Sequence, residues 1–307
     1  MRIVVHGQQA FGKSVLEALL ERGENVVGVY CAPDPAQGGR VDPLKEAALA
    51  RGLPVHQPKS FRNKPEVWEE FGRLKADLCV MAYVTLIVPE EVLNQPTRGT
   101  IQYHPSLLPR HRGPSSINWP IIMGETRTGL TIFWPDQGLD TGPILLQKEV
   151  EIRDSDTLGS LYFDRLFPLG VAALLEGVDL VRAGKAPKIV QDESRATYEG
   201  WCKKEHVQVD WGKPLQEIWN LVRGADPQPG AWTTYGGTTV QLHDARKVAG
   251  AAEGGSGEVI AVDDEGMTIA ASGGQILVTR VRPEGGQKIT AAAFAKSAGL
   301  RAGVRLG

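Results

Sequence analysis

Apolar residues in the first half of the chain switch repeatedly between two periods. Ile3–Val5 is a short β-branched run ending at Gly7, which predicts a strand. Val15, Leu16, Leu19 and Leu20 then share one face of a helix expected over Phe11–Arg22. Asn25–Tyr30 predicts the next strand, closing with Cys31. The turn-rich stretch Ala32–Asp42 leads to a helix at Pro43–Ala50, where proline suits the first turn. Pro54–His56 reads as a short strand, Pro65–Leu74 as a helix, and Leu78–Ala82 and Gly99–His104 as strands. Strands alternating with helices predict an α/β domain, a Rossmann-like, mostly parallel sheet with helices on both faces.

The pattern then loosens. Ser115–Met123 predicts a helix, Thr128–Phe133 a strand and Ile144–Ile152 a further extended segment. Asp156 is the expected N-cap of a long helix reaching Ala183 and stopped by Gly184. Beyond Thr197 the character changes. A helix at Pro214–Arg223 puts Leu215, Ile218, Trp219 and Val222 on one side. Short strands follow, punctuated by Tyr235-Gly-Gly, Asp263-Asp-Glu-Gly and Ser272-Gly-Gly, which predicts a small antiparallel barrel or sandwich. The Gly/Ala-rich stretch Ala249–Gly257 reads as a mobile loop. Two domains are expected, residues 1–202 and 203–307.

Composition narrows the function classes. The 307 residues carry 34 Lys+Arg against 36 Asp+Glu, a formal net charge of −2. That balance weakens a reading that needs a basic face for nucleic acid. Cys31, Cys79 and Cys202 are far apart and lack any C-x-x-C spacing. They argue against a disulfide framework or a zinc cluster and fit a reducing, cytoplasmic compartment. The first residues read as a strand rather than a signal peptide, and no apolar run is expected to reach the roughly 18 residues needed to cross a bilayer.

Gly7-Gln-Gln-Ala-Phe-Gly12-Lys13-Ser14 matches G-x-x-x-x-G-K-[ST] between a strand and a helix, the position of a nucleotide-triphosphate loop. Gln8, Gln9 and bulky Phe11 fill the stretch where small residues must wrap a phosphate. Asp77 precedes its strand instead of ending it, so no acid is placed for magnesium. The expectation is an ordinary strand-to-helix turn with Phe11 packed inward.

The richest chemistry lies in Gly99-Thr-Ile-Gln-Tyr-His104-Pro-Ser-Leu-Leu-Pro109-Arg-His-Arg-Gly113. His104 ends a strand, at the sheet edge where open α/β folds bind ligands. Gln102, two residues earlier, faces the same way. Phe133-Trp-Pro-Asp136-Gln-Gly138-Leu-Asp140-Thr-Gly142 supplies two carboxylates in a glycine-punctuated loop. A carboxylate beside His104 would favour its protonated form and fix its tautomer. For Asp136 an Asx-turn is the favoured reading.

These two segments resemble the 10-formyltetrahydrofolate-using formyltransferase/hydrolase family. The likeness extends through Ser116-Ile-Asn-Trp119, Leu145-Leu-Gln-Lys-Glu149, Gly184-Lys-Ala-Pro187 and Ala196-Thr-Tyr-Glu-Gly200. Within the family the chain resembles most the amino-terminal hydrolase domain of 10-formyltetrahydrofolate dehydrogenase. Its last hundred residues are similar, more loosely, to the small OB-like β domain of methionyl-tRNA formyltransferase. The length leaves no room for an aldehyde dehydrogenase domain.

The resemblance implies a formyltransferase fold and a formyl donor, 10-formyltetrahydrofolate, with no metal. It implies His104 and Asp140 as catalytic residues, with Gln102 where the family usually has Asn. It places the folate against Leu86, Ile87 and Val88, with Asp136, Gly138 and Ser106 on the facing loops. The acceptor is water or a small amine. Transfer to methionyl-tRNA ranks second, because Pro33–Pro43 is far less basic than its counterpart in the tRNA enzymes. A nucleotide-triphosphatase is a distant third, and no membrane partner is implied.

Overall fold

The structure, a computed structural model, describes residues 1–35, 38–248, 250 and 254–307. The chain opens with β1 (Arg2–Gly7), α1 (Gln9–Glu21), β2 (Asn25–Tyr30), α2 (Pro43–Ala50) and β3 (Val55–His56). It continues through α3 (Pro65–Arg73), β4 (Leu78–Ala82), α4 (Glu90–Leu93) and β5 (Thr100–His104). Then come α5 (Asn118–Ile122), β6 (Arg127–Phe133), β7 (Ile144–Glu151), α6 (Leu158–Ser160) and α7 (Phe167–Arg182).

The seven strands form one sheet in the order β3-β2-β1-β4-β5-β6-β7. β1 runs parallel to β2 and β4, β2 to β3, and β4 to β5. β5 and β6 are antiparallel, so the sheet is parallel-rich as the alternation predicts. Its two faces carry separate cores. Ile3, Val5, Ile101 and Tyr103 pack with α1, α2 and α7 residues such as Leu16, Leu44 and Leu174. Val4, Tyr30, Phe61, Phe71 and Leu93 form the other. The period-2 alternation puts Thr100, Gln102 and His104 on this second face, where Thr100 Oγ1 donates to Leu93 O at 2.7 Å.

At the Gly7–Ser14 turn a carboxylate stands where a phosphate would bind. The amide of Gln9 donates to both carboxylate oxygens of Asp42, at 3.0 and 2.9 Å. Asp42 also caps α2 by accepting from Leu44 N. An internal carboxylate thus occupies the positive end of α1, where a nucleotide loop would hold its anion. Phe11 is 1% exposed against Tyr103 and Phe167. Lys13 points along its own helix to Glu17. Lys13→Ala is therefore expected to leave folding and turnover unchanged, whereas joint loss of activity and ATP binding in that variant would restore the nucleotide reading.

The expected long helix is interrupted. Thr157, not Asp156, is its cap: Thr157 Oγ1 accepts from Ser160 N and Ser160 Oγ from Thr157 N. Asp156 instead accepts from Arg153 N at 2.6 Å, closing the preceding turn. Residues Leu161–Leu166 form a wide π turn before α7. Pro168 follows at once, and its missing N–H removes an α-helical bond there. The run Leu158–Arg182 is long and apolar enough to cross a membrane by length and composition, with mean hydropathy 1.3. In the fold, α7 buries Ala173, Leu174, Val178 and Val181 against the sheet.

The remaining elements are α8 (Leu215–Gly224), β8 (Trp232–Tyr235), β9 (Thr238–Val248), β10 (Val259–Val262), β11 (Met267–Ala271), β12 (Gly274–Pro283), β13 (Ile289–Thr290) and α9 (Ala291–Ala298). Their strands make a curled antiparallel sheet in the order β10-β11-β12-β9-β8, with β13 on β12, an OB-like half-barrel. Gly236 and Gly237 both have positive φ and make the two-residue β8–β9 turn. α9 and the four-residue α4 carry no signal that sequence reading picked up. Of the loop Ala249–Gly257, residues 249 and 251–253 lie outside the described residues, as do residues 36 and 37 of the loop before α2.

The chain forms two compact units. One comprises Met1–Gly113, Gly129–Val150 and Asp164–Tyr198; the other comprises Pro114–Thr128, Glu151–Phe163 and Glu199–Gly307. Two segments within residues 1–202 thus pack with the C-terminal residues. Asn118, for example, donates to Gly224 O and Gln228 O.

Candidate active site

His104 sits at the carboxyl end of β5 and is 5% exposed. Its Nε2 lies 2.8 Å from the carbonyl oxygen of His111. A carbonyl only accepts, so Nε2 carries the proton and the ring's neutral tautomer is set. Nδ1 is then the nitrogen with chemistry left to do. It faces Asp140 Oδ2 at 3.5 Å, and that carboxylate is 7% exposed. A proton arriving at Nδ1 would be held beside a buried negative charge, and the ring could then donate or return it.

The Asp140 side of the pair is shaped by backbone. Asp140 has φ 56° and Gly113 has φ 81°. Gly113 N donates to Asp140 Oδ2 at 2.8 Å, tying the carboxylate to the loop that follows β5. A Cβ at Gly113 would lie 2.3 Å from the Tyr198 ring, so both the turn and the packing require glycine.

The loop between His104 and Arg112 is closed on itself. Ser106 is fully buried, and its hydroxyl donates to Arg110 O at 2.7 Å and His111 O at 3.2 Å. The His111 carbonyl is thus shared by Ser106 and His104. Thr131 Oγ1 donates to Ser106 O and accepts from Leu108 N and Gln147 Nε2. Gln102 is half-buried, opposite Phe133 and beside Met81.

Asp136 closes an Asx-turn: its Oδ1 accepts from Gly138 N at 3.0 Å and Thr141 Oγ1 at 2.6 Å. Gly138 lies in that turn, where a Cβ would overlap Thr141 Oγ1. Leu86 and Val88 pack partly against the Tyr30–Phe61–Phe71 core, on the sheet face that also carries Gln102 and His104. Ile87 between them is 77% exposed, an apolar surface at the carboxyl end of β4.

Sequence reading passed over a second polar set. Gln191 is 4% exposed and its amide is fully used. Its Nε2 donates to Asp140 O at 2.9 Å and Gly142 O at 2.7 Å. Its Oε1 accepts from Arg112 Nε at 3.2 Å and Nη2 at 2.8 Å. Arg112 also makes a forked pair with Glu193, at 2.8 and 2.5 Å. That pairing raises the guanidinium pKa and holds the Glu193 carboxyl below its usual range. Thr197 Oγ1 accepts from His111 N at 2.8 Å. Nothing in the irregular stretch Lys188-Ile-Val-Gln-Asp-Glu-Ser marks these residues, because no periodicity runs through it. Among the described residues no group of three or more His, Cys, Asp or Glu side chains is gathered for a metal ion.

The site thus joins a parallel-rich sheet, a strand-end histidine and a carboxylate presented from a left-handed turn. In sequence, residues 1–177 match the formyl transferase family and residues 202–299 the formyl transferase C-terminal domain. The chain belongs to the formyl transferase family. It is 44% identical over 247 residues to the mitochondrial 10-formyltetrahydrofolate dehydrogenase of Mus musculus, covering 79% of this chain and 26% of that protein. The chain therefore spans about a quarter of that relative's length. It is 39% identical over 297 residues to the methionyl-tRNA formyltransferase of Trichlorobacter lovleyi, covering 95% of this chain and 93% of the relative. The fold matches HypX from Aquifex aeolicus in complex with tetrahydrofolic acid, with TM-score 0.71 and 22% identity over 96% of this chain and 47% of the other.

Proposed function

We propose that the protein takes 10-formyltetrahydrofolate as formyl donor and passes the formyl group to water or a small amine, releasing tetrahydrofolate. The observation that carries this is the buried His104–Asp140 pair, with Nε2 tethered to a carbonyl and Nδ1 turned to the carboxylate. The acceptor's oxygen or nitrogen attacks the formyl carbon, and the carbonyl π electrons move onto oxygen. Protonated Nδ1 donates to that oxyanion, with the Gln102 amide as a second donor. Asp140 balances the imidazolium and takes up the proton released by the acceptor. As the tetrahedral centre collapses, the C–N10 bond breaks and N10 receives the proton that Asp140 had taken up, which regenerates the carboxylate. Water as acceptor yields formate; an amine yields a formamide.

The exposed Ile87 with half-buried Leu86 and Val88 forms one apolar wall for the flat pterin ring, and the Asp136–Asp140 loop forms the facing wall. In this reading Ser106, Asp136 and Gly138 serve the folate by holding those loops in shape. Residues 1–202 form the catalytic domain and 203–307 the appended β domain. Three buried free cysteines fit a reducing, cytoplasmic setting.

Transfer to methionyl-tRNA is the second reading, favoured by the near full-length likeness to a methionyl-tRNA formyltransferase. Against it stand the cations of the β domain. Arg246 pairs with Glu265, Lys247 with Asp154, and Lys204 lies over the Trp232 ring. The two readings part in one experiment, turnover of 10-formyltetrahydrofolate alone, then with methionyl-tRNA, then with a panel of amino-sugars and other amines. Release of tetrahydrofolate without tRNA is expected. Turnover that requires methionyl-tRNA would select the second reading.

A further inference from the structure

Both groups that hold His104 are themselves held by one irregular stretch, residues 189–198. Ile189 exchanges backbone hydrogen bonds with Ile144, just past the Asp140 turn. Gln191 donates one N–H to Asp140 O and the other to Gly142 O, bracketing Thr141. Thr197 Oγ1 accepts from His111 N, and Thr197 N donates to Pro109 O. Arg112 N in turn donates to Thr197 O. The two ends meet through Arg112, whose guanidinium reaches Gln191 and Glu193 together.

We infer that residues 189–198 are a strap that sets His104 from both sides, with Gln191 as a positioning residue for Asp140 and Thr197 for the His111 carbonyl. This rests on His104 and Asp140 being the reacting pair. The physical case is the left-handed backbone at Asp140, which aspartate adopts more readily than most residues but which surrounding contacts must still select and enforce. Gln191 supplies that enforcement with two buried hydrogen bonds to the turn's own carbonyls. It cannot swing away, because its Oε1 is fixed by the Arg112 fork. Displacing the turn moves the carboxylate relative to Nδ1. Displacing Thr197 moves the carbonyl that selects the Nε2–H tautomer.

Gln191→Glu keeps the side chain's length but removes both N–H donors; Thr197→Val removes the acceptor for His111 N at near-constant volume. In Gln191→Glu, kcat for tetrahydrofolate release is expected to fall about 10–100-fold, in keeping with the sensitivity of reacting groups to small displacements. The Kd of 5-formyltetrahydrofolate, an unreactive probe, should change by less than kcat does, since the strap holds the Asp140 end of the folate-facing loop while Asp136 closes the rest through Gly138 N and Thr141 Oγ1. ¹⁵N spectra of histidine-labelled protein should show the His104 Nε2–H tautomer in the wild type and displaced His104 resonances in both variants. A purely structural role would lower the melting temperature while leaving those resonances in place. Unchanged kcat together with unchanged His104 resonances in both variants overturns the strap. If the wild type itself does not turn over 10-formyltetrahydrofolate, the proposed function fails, and the histidine spectra alone still decide the strap.

Discussion

Replacing His104 with alanine is expected to lower kcat for tetrahydrofolate release by about 100–1,000-fold, the loss typical of one oxyanion donor. Binding of 5-formyltetrahydrofolate should change by less than about threefold. The split follows from the geometry. His104 is 5% exposed and its Nε2 is committed to the His111 carbonyl, so it presents Nδ1 to the reaction and little surface to the substrate. Asp140→Asn keeps an oxygen to accept from Gly113 N but loses the charge that balances the imidazolium. A fall of about 100-fold is expected there as well. Steady-state kinetics beside equilibrium binding decide the matter: wild-type kcat in either variant removes these residues from the mechanism.

The second large effect concerns stability in acid. His6, the penultimate residue of β1, has its ring against Tyr30 and Phe61 and is 5% exposed. Burial disfavours the charged form and pushes its pKa from 6.5 down to about 3. The folded value lies below the unfolded one, so between pH 6.5 and 3 the unfolded chain binds a proton that the folded chain refuses. Stability tied to His6 is complete above pH 6.5 and declines as pH falls, by about 1.4 kcal/mol per unit. By pH 4 the loss from this one group should approach about 3 kcal/mol. His6→Leu cannot titrate, and its urea-unfolding midpoint should fall less steeply between pH 7 and 4 than that of the wild type. Parallel declines in the two proteins would mean that other groups govern the acid response.

The same elements show how far a sequence can be read. β2, α2 and β4 lie where the periodicity put them, because local propensity and tertiary packing agree there. The pattern along the chain starts the long helix at Asp156, because an acidic residue before an apolar run is a good local signal. The cap fell to Thr157 because Ser160 could reciprocate and Asp156 was drawn to Arg153 N, a choice made by three-dimensional neighbours. The literal nucleotide-loop match failed for the same reason: Asp42, 33 residues beyond Gln9, supplies the anion itself.

The chain's order of residues by itself determined the class of fold, the parallel-rich sheet followed by a β module, since alternating periods and glycine-marked turns are local properties. It also marked His104 at a strand end and two carboxylates, Asp136 and Asp140, in a glycine-punctuated loop, and the family resemblance then picked His104 and Asp140 as the pair. Only the tertiary structure decided which nitrogen of His104 is protonated, since that depends on the His111 carbonyl folding back to meet Nε2. It alone brought Gln191 beneath the Asp140 turn, 51 residues away. Hydrogen bonds between irregular segments have no period, so no pattern along the chain announces them; they exist only once the sheet has closed the distance.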